Sequence, residues 1–533
     1  MKSIFILVSV LVIVSMMLSC APAGEKAAPT QALPAKAEPT QVTSAATPPA
    51  VPTGKITALV TTLGNESIDV MNENAGMDAI IHSHLGEALI LYDTPHEPGV
   101  ASSWAMGSDG LSWEYTIRKG IKFQDGTTLT PEDVKYTLDR LMSQESKAIM
   151  SPTLKTYISA VDVAGDKVIL RMKSIYHHIN AVVNKAVIFP KAYREKVGDE
   201  EFGKKPIYAG PFKFVKQAKG DYIEMEAFED FYRKVPAYKS LILKIVPERS
   251  TQIAMLKTGE ADIAGLISGV TIDEVKKDPN LKLLQIPGTS VVTLLYPPMT
   301  VWPHVKSPVE DKRVRQALSY AIDRQSIADK VYYGGAMPAA LDAMVLGSLG
   351  FDPSIKARPY DIEKAKALLK EAGYPDGFEV ELITTSVYKS EAEVVQSTWA
   401  KVGVKAKLTV LESATASEKF TSKNMGDSLY LSLSGGRSSE AWNRYYLRDQ
   451  TYTHFVDPEF EGMVKKDMNM TDQKEREKYL NEFSKWMFDF EPANAIVVPN
   501  YAYGAGSKVK EWTPKTRYGF TMGLEYLVPS WVK

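Results

Sequence analysis

The chain has 533 residues, with 63 Lys and Arg against 64 Asp and Glu and a net charge of −1. It therefore carries no bulk basic field to hold nucleic acid, and its 44% hydrophobic content is that of a globular chain. After the N-terminal segment no apolar run reaches the about 20 residues that span a bilayer, so the sequence is not that of a permease.

The first element in chain order is a secretory signal. Met1-Lys2-Ser3 is a short positive start, Ile4 to Leu18 is an apolar run broken only by Ser9 and Ser15, and small residues follow. Leu18-Ser19-Cys20-Ala21 resembles a bacterial lipobox, in which the cut falls before the cysteine and the thiol takes a lipid. Cys20 is the sole cysteine, so it forms no internal disulfide and supplies no catalytic thiol; an anchor is its expected use. Residues 1–19 are thus expected to be a lipoprotein signal peptide. Residues 20–54, rich in Ala, Pro and Thr and without an aromatic residue, are expected to be a disordered tether. Pro-rich chain rises about 3.1 Å per residue, enough to hold a domain tens of Å off a membrane.

Mixed strand and helix signals follow. KITALVTT (55–62) predicts a strand, and LSWEYTIRKGIKFQDG (111–126) alternates Trp113, Tyr115 and Ile117 before a turn at Asp125-Gly126. LTPEDVKYTLDRLM (129–142) predicts a helix with Thr130 as N-cap, Pro131 in the first helical position, Asp133 in a near capping box and an apolar face of Val134, Leu138 and Leu141. Hairpins are expected around Gly165-Asp166 and Lys219-Gly220-Asp221. Residues 248–266 read as helix, glycine stop and short strand. One helix is expected over 311–329, burying Val314, Ala317, Leu318, Ala321 and Ile322, with Arg315 and Gln325 outside and tolerant of change. Residues 361–377 repeat the pattern with Asp361 as cap and Gly373 as stop, and 476–500 read as a long helix followed by a strand. No repeat of 20 to 50 residues is evident, and the order of elements favours mixed α/β lobes.

Enzyme motifs are sparse: G-x-S-x-G, H-E-x-x-H, the P-loop and G-x-G-x-x-G are all absent. His82-x-His84, with His96 nearby, offers a metal site or, as the preferred reading, a His pair on a half-buried segment; His177-His178 is adjacent and points two ways. Neither a metal nor a cofactor is expected. Residues 430–455 set Trp442, Tyr445, Tyr446, Tyr452 and Phe455 beside Arg437, Glu440, Arg444 and Arg448, and residues 293–308 place Tyr296 and Trp302 on a Pro-stiffened loop. Aromatic walls with a few oriented charges suit a cleft for a small polar ligand, and equally an ordinary aromatic core.

The segments IRKGIKFQDGTTLTPEDVKYTLDRL, AGPFKFV, LKTGEADIA, EDKRVRQALSYAIDRQSIADKVYYGGAMPA and YDIEKAKALLKEAGYPDGFEVEL resemble the family 5 extracellular solute-binding proteins of ABC importers, the peptide/nickel group, and the likeness covers nearly everything after the tether. The resemblance implies a two-lobed α/β periplasmic-binding-protein fold (type II, cluster C-like) with an extra subdomain in the first lobe. It places lobe one at 55–287 with a return at 502–533, lobe two at 292–497, and crossovers near Ile286–Thr293 and Val498–Tyr503. It implies a monomeric receptor, not an enzyme, that closes on an oligopeptide or dipeptide as default cargo. The receptor would deliver to ABC importer permease subunits and touch the membrane only through lipidated Cys20, in the periplasm or on the outer face of the cell. A nickel chelate, a sugar or another solute stays open as cargo; a secreted hydrolase and a non-transport surface protein are the readings from other classes. Arg437, Glu440, Trp442, Tyr445, Tyr296 and Trp302 are the expected ligand-binding residues. The Gly-Trp-x-x-Asp-Tyr-x-Asp-Pro stretch of peptide-binding members is missing from the matching SGGRSSEAWNRYY. Glu440 would then substitute as counter-charge to an amine, and Arg437 would favour a carboxylate.

Overall fold

The computed structural model describes residues 51–533, except 74–75, 92–96, 301–305, 346, 436–441, 443–444, 449, 451, 516–522 and 533. The signal peptide, Cys20 and the tether up to residue 50 lie outside the described residues, as do His96, Trp302, Arg437, Glu440 and Arg444.

Two large sheets organise the rest. The first has seven strands in the order Lys282–Ile286, Tyr501–Ala505, Ile263–Ile267, Lys55–Val60, Ser240–Ile245, Tyr222–Ala227 and Phe212–Ala218. Its centre is parallel, with Ile56 opposite Leu241, and its flanks are antiparallel. A four-stranded antiparallel sheet of Ala101–Met106, Ser112–Ile117, Lys167–Met172 and Ile158–Ala164 is inserted between strands 55–60 and 212–218 and shares their hydrophobic core. The second large sheet orders Ala336–Pro338, Asn494–Pro499, Ser290–Leu295, Leu429–Gly435, Glu379–Thr385 and Lys405–Leu411, and packs a separate core that includes Leu318, Trp399, Trp442, Phe460 and Phe483.

Local chemistry sets these elements where the sequence predicts them. The helix Pro131–Leu141 has the reciprocal Thr130–Asp133 capping box, and Val134, Leu138 and Leu141 are fully buried. Strand 112–117 alternates buried and half-buried residues. Gly165 and Gly220 turn their hairpins at φ 65° and 77°. The helix Arg249–Thr258 stops at left-handed Gly259, and Ile362–Glu371 starts on the Asp361 side chain.

The helix expected over 311–329 is shorter. It runs Lys312–Tyr320; after a break, Asp323 caps a new turn by accepting from the Ser326 amide at 2.9 Å, and a π-turn spans Ile327–Val331. The apolar face holds: Leu318 is fully buried, and the Trp399 indole donates to its carbonyl at 3.1 Å. Leu318→Ala is expected to cost about 2–5 kcal/mol, read from a denaturant melt; a melt equal to wild type would show that this face is not core. Arg315 is a correction. It is 2% exposed, and its guanidinium donates to the carbonyls of Val309, Glu310, Phe490 and Glu491 at 2.8–3.0 Å. Gln325 is exposed, as expected.

The chain passes from the first large sheet to the second between Ile286 and Ser290, and returns between Pro499 and Tyr501. The two crossings lie side by side. Thr289 and Tyr501 share a hydroxyl hydrogen bond at 2.6 Å, and Gly288 is packed so closely on the Pro499 carbonyl that no Cβ fits.

Candidate functional site

The second sheet presents the end of strand 429–435 beside strand 290–295, with Val291 opposite Ser434. Three hydroxyls from this region converge on one buried carboxylate. Thr293 donates to Asp342 Oδ1 at 2.8 Å, Ser434 donates to the same oxygen, and Tyr446 donates to Oδ2 at 2.6 Å. His454 Nε2 lies 3.7 Å from Oδ2, beyond hydrogen-bond reach. Burial would raise the Asp342 pKa, but His454 and the hydroxyls outweigh it and hold the carboxyl below its usual range. Burial pushes the His454 imidazole down, against the pull of Asp342. The result is a buried carboxylate held by three hydroxyl donors, with the His454 imidazole beside it. Nearby, Lys423 donates to the Thr453 carbonyl at 2.8 Å, and burial pulls its ammonium down to about 8.

This network frames the segment on which the expected charges lie. Ser434 and Gly435 precede residues 436–441, and Tyr445 and Tyr446 follow them. Tyr445 is buried, and its hydroxyl accepts from the Gly435 amide at 3.1 Å. Both ends of the segment are thus fixed to one scaffold. Asp342 has little acceptor capacity left for an incoming amine.

The expected aromatic residues sit deeper than a cleft wall. Trp442 is fully buried, edge-on to Phe483 with ring centroids 4.5 Å apart, and its indole N–H has no hydrogen-bond partner among the described residues. Tyr296 is also fully buried, and its hydroxyl donates to Asn494 Oδ1 at 2.6 Å. Both are core side chains in this structure, because each ring fills space in the hydrophobic core beneath the second large sheet. Nothing in the sequence marks Asp342 or His454. A lone Asp in LDAM and a lone His in YTHF carry no motif, and only the fold brings them together.

The histidine pair is structural. His82 and His84 lie on the helix Ala79–Leu85 and are fully buried rather than half-buried. His82 Nδ1 pairs with Glu73 at 2.8 Å, and His84 Nδ1 donates to the Ile80 carbonyl at 2.7 Å. Two positions apart on a helix, the rings point away from each other. Among the described residues no group of three His, Cys, Asp or Glu is arranged to hold a metal ion, and no helix is long and apolar enough to cross a membrane.

Residues 96–453 match the family model of the bacterial extracellular solute-binding proteins, family 5. The chain belongs to this family. Like its family it binds a solute and is not an enzyme. It is 27% identical over 421 residues to heme-binding protein A of Haemophilus influenzae, covering 72% of this chain and 76% of that protein. It is 31% identical over 338 residues to the glutathione-binding protein GsiB of Salmonella choleraesuis, covering 62% and 64%. The crystal structure of the ABC transporter substrate-binding protein CtaP of Listeria monocytogenes superposes with a TM-score of 0.78 at 22% identity, over 90% of this chain and all of that one. This likeness, among others, places the family-5 chain in the cluster C binding-protein fold.

Proposed function

We propose that the chain is an extracytoplasmic receptor that closes two lobes on an oligopeptide or dipeptide and hands it to the permease of an ABC importer. In this reading lobe one is residues 55–287 with 502–533, lobe two is 292–497, and Arg437 and Glu440 face the ligand from a segment whose ends are held by Ser434, Tyr445 and Tyr446. Tyr296, Trp442 and Trp302 belong to the same wall, the first two from behind. The observation that carries the reading is the paired crossing at Thr289 and Tyr501: two sheets with separate cores are joined by two adjacent strands of chain, and such a joint lets lobes swing about one axis. A ligand that touches both lobes only when they are shut then stabilises the shut form. A relative named for glutathione, itself a tripeptide, fits peptide cargo.

A non-peptide anionic solute is the second reading, favoured by the missing Asp-Tyr-x-Asp-Pro and the presence of Arg437. Native mass spectrometry of protein purified without refolding separates the two. A co-purified adduct of peptide mass that fragments into amino-acid residues supports peptide cargo; a metal chelate or carbohydrate mass removes it.

The anchor has its own test. Cys20→Ser is expected to abolish lipidation and membrane retention while leaving the thermal melt of the folded domain unchanged, as read by detergent partitioning. A variant that still fractionates with membranes as the wild type does would end the lipoprotein assignment.

A further inference from the structure

The lobes meet at a second place, remote from the crossings. The loop 107–111 and the turn at 175–178 belong to the four-stranded insert of lobe one, and residues 467–476 form the corner between the helices Pro458–Asn469 and Gln473–Phe490 of lobe two. A Cβ on Gly110 would lie 3.1 Å from Thr471 Cγ2 and 2.9 Å from the Ile175 side chain. His177 faces the backbone of Met468 and Met470, and its Nε2 is buried without a hydrogen-bond partner among the described residues. The turn that carries it is stiff, because Tyr176 stacks on Tyr157 with centroids 3.8 Å apart and planes 9° from parallel. The corner is stiff as well. Arg476 grips Asp467 through Nε–Oδ1 at 2.7 Å and Nη2–Oδ2 at 3.1 Å, and both side chains are buried.

We propose that the 175–178 turn seated on the 467–476 corner is a latch that holds the two lobes shut and releases them when His177 takes up a proton. The proposal rests on the two-lobe reading above and adds its regulation. The charged groups facing the imidazole are Arg476 and Asp467 on the corner; Tyr176 and His178 flank it on its own turn. Burial first, and Arg476 second, lower the His177 pKa to about 4, against Asp467 and the two backbone groups, which raise it. An open form exposes the ring to water, where an imidazole titrates near 6.5. The sign follows. The shut-form pKa lies below the open-form value, so the latch is at full strength above about pH 6.5, weakens as pH falls toward 4, and loses nothing further below that. Each unit of difference is about tenfold in the shut-to-open ratio. Acidification from pH 7.5 to 4.5 should therefore shift that ratio by about one to two orders of magnitude.

The test needs no identified solute. Small-angle X-ray scattering is recorded from the full chain carrying Cys20→Ser, at pH 7.5, 6.0 and 4.5, beside the same chain with His177→Gln. The proposal expects the radius of gyration of the parent to rise as pH falls and the His177→Gln chain to stay compact. In the proton NMR titration of the parent, the His177 signal should move well below pH 6.5. Identical pH responses of the two chains, or a His177 signal titrating at about 6.5 in the compact form, would overturn the latch while leaving the hinge intact. A radius unchanged by pH and by an added pool of tri- and tetrapeptides would overturn the hinge and the latch together. Failure of those peptides to bind, with the pH response present, would bear on the cargo and leave the latch supported.

Discussion

Replacing Trp442 with alanine is expected to lower the stability of the solute-free protein by about 3–5 kcal/mol, the range for deleting a large buried aromatic side chain. The ring is fully enclosed and sits edge-on to Phe483, which continues through Phe460 to Trp486 and Phe490 in one aromatic cluster. Its loss leaves a void the cluster cannot close without giving up these contacts. Trp442→Phe should be much milder. It keeps most of the apolar area and removes an indole N–H that has no partner among the described residues. A denaturant melt of each variant without solute reads both effects. If Trp442→Ala melts like wild type and loses only solute affinity, the residue is a cleft wall, as its neighbours in sequence suggested.

Arg315→Ala is expected to cost about 3–5 kcal/mol, comparable to removing one side of a buried charged interaction. The cause lies at the end of the long helix Gln473–Phe490. The last carbonyls of a helix have no partner within it. Here the Phe488 carbonyl receives Arg358, the Asp489 carbonyl receives Gln316, and those of Phe490 and Glu491 receive Arg315, each at 2.6–2.8 Å. Arg315 also stacks between Phe455 and Phe490, 5.1 Å from each ring. Burial pulls its pKa down, partly offset by Tyr296 and Glu491. Lysine should not rescue it, because one ammonium cannot reproduce a planar fork aimed at four carbonyls. Gln325→Ala, on the exposed side of the same segment, should change stability by no more than about 0.5 kcal/mol. A melt in which Arg315→Ala and Gln325→Ala match would mean that the guanidinium caps nothing.

These two residues show where the sequence could be read and where it could not. The capping box at Thr130–Asp133, the glycine stop at Gly259 and the Asp361 cap are local chemistry, written within a few residues, and each stands where expected. The break after Tyr320 was legible in principle, since Asp323 followed by Ser326 is itself an N-cap pattern; the apolar run across Ala321 and Ile322 masked it. Periodicity puts Arg315 outside the apolar face because its partners are backbone carbonyls up to 176 residues away, which no local pattern reports. Trp442 was ambiguous for a related reason: an aromatic in a core and one in a cleft have the same composition around them. Asp342 gathers Thr293, Ser434 and Tyr446, which lie up to 104 residues from it along the chain, and only the fold makes them neighbours.

The double crossing also orders the events of synthesis. Strand 501–505 lies between strands 263–267 and 282–286, bonded to both. Strands 263–267 and 282–286 leave the ribosome more than 200 residues before the strand that joins them. The second large sheet, whose strands all fall between Ser290 and Pro499, has its whole sequence in hand first. Until residue 505 emerges, the nascent first sheet keeps a vacant slot with two unpaired edges, the kind of surface that recruits foreign strands. The last stretch of chain therefore acts as a closing stave: the first sheet begins earliest and is sealed latest.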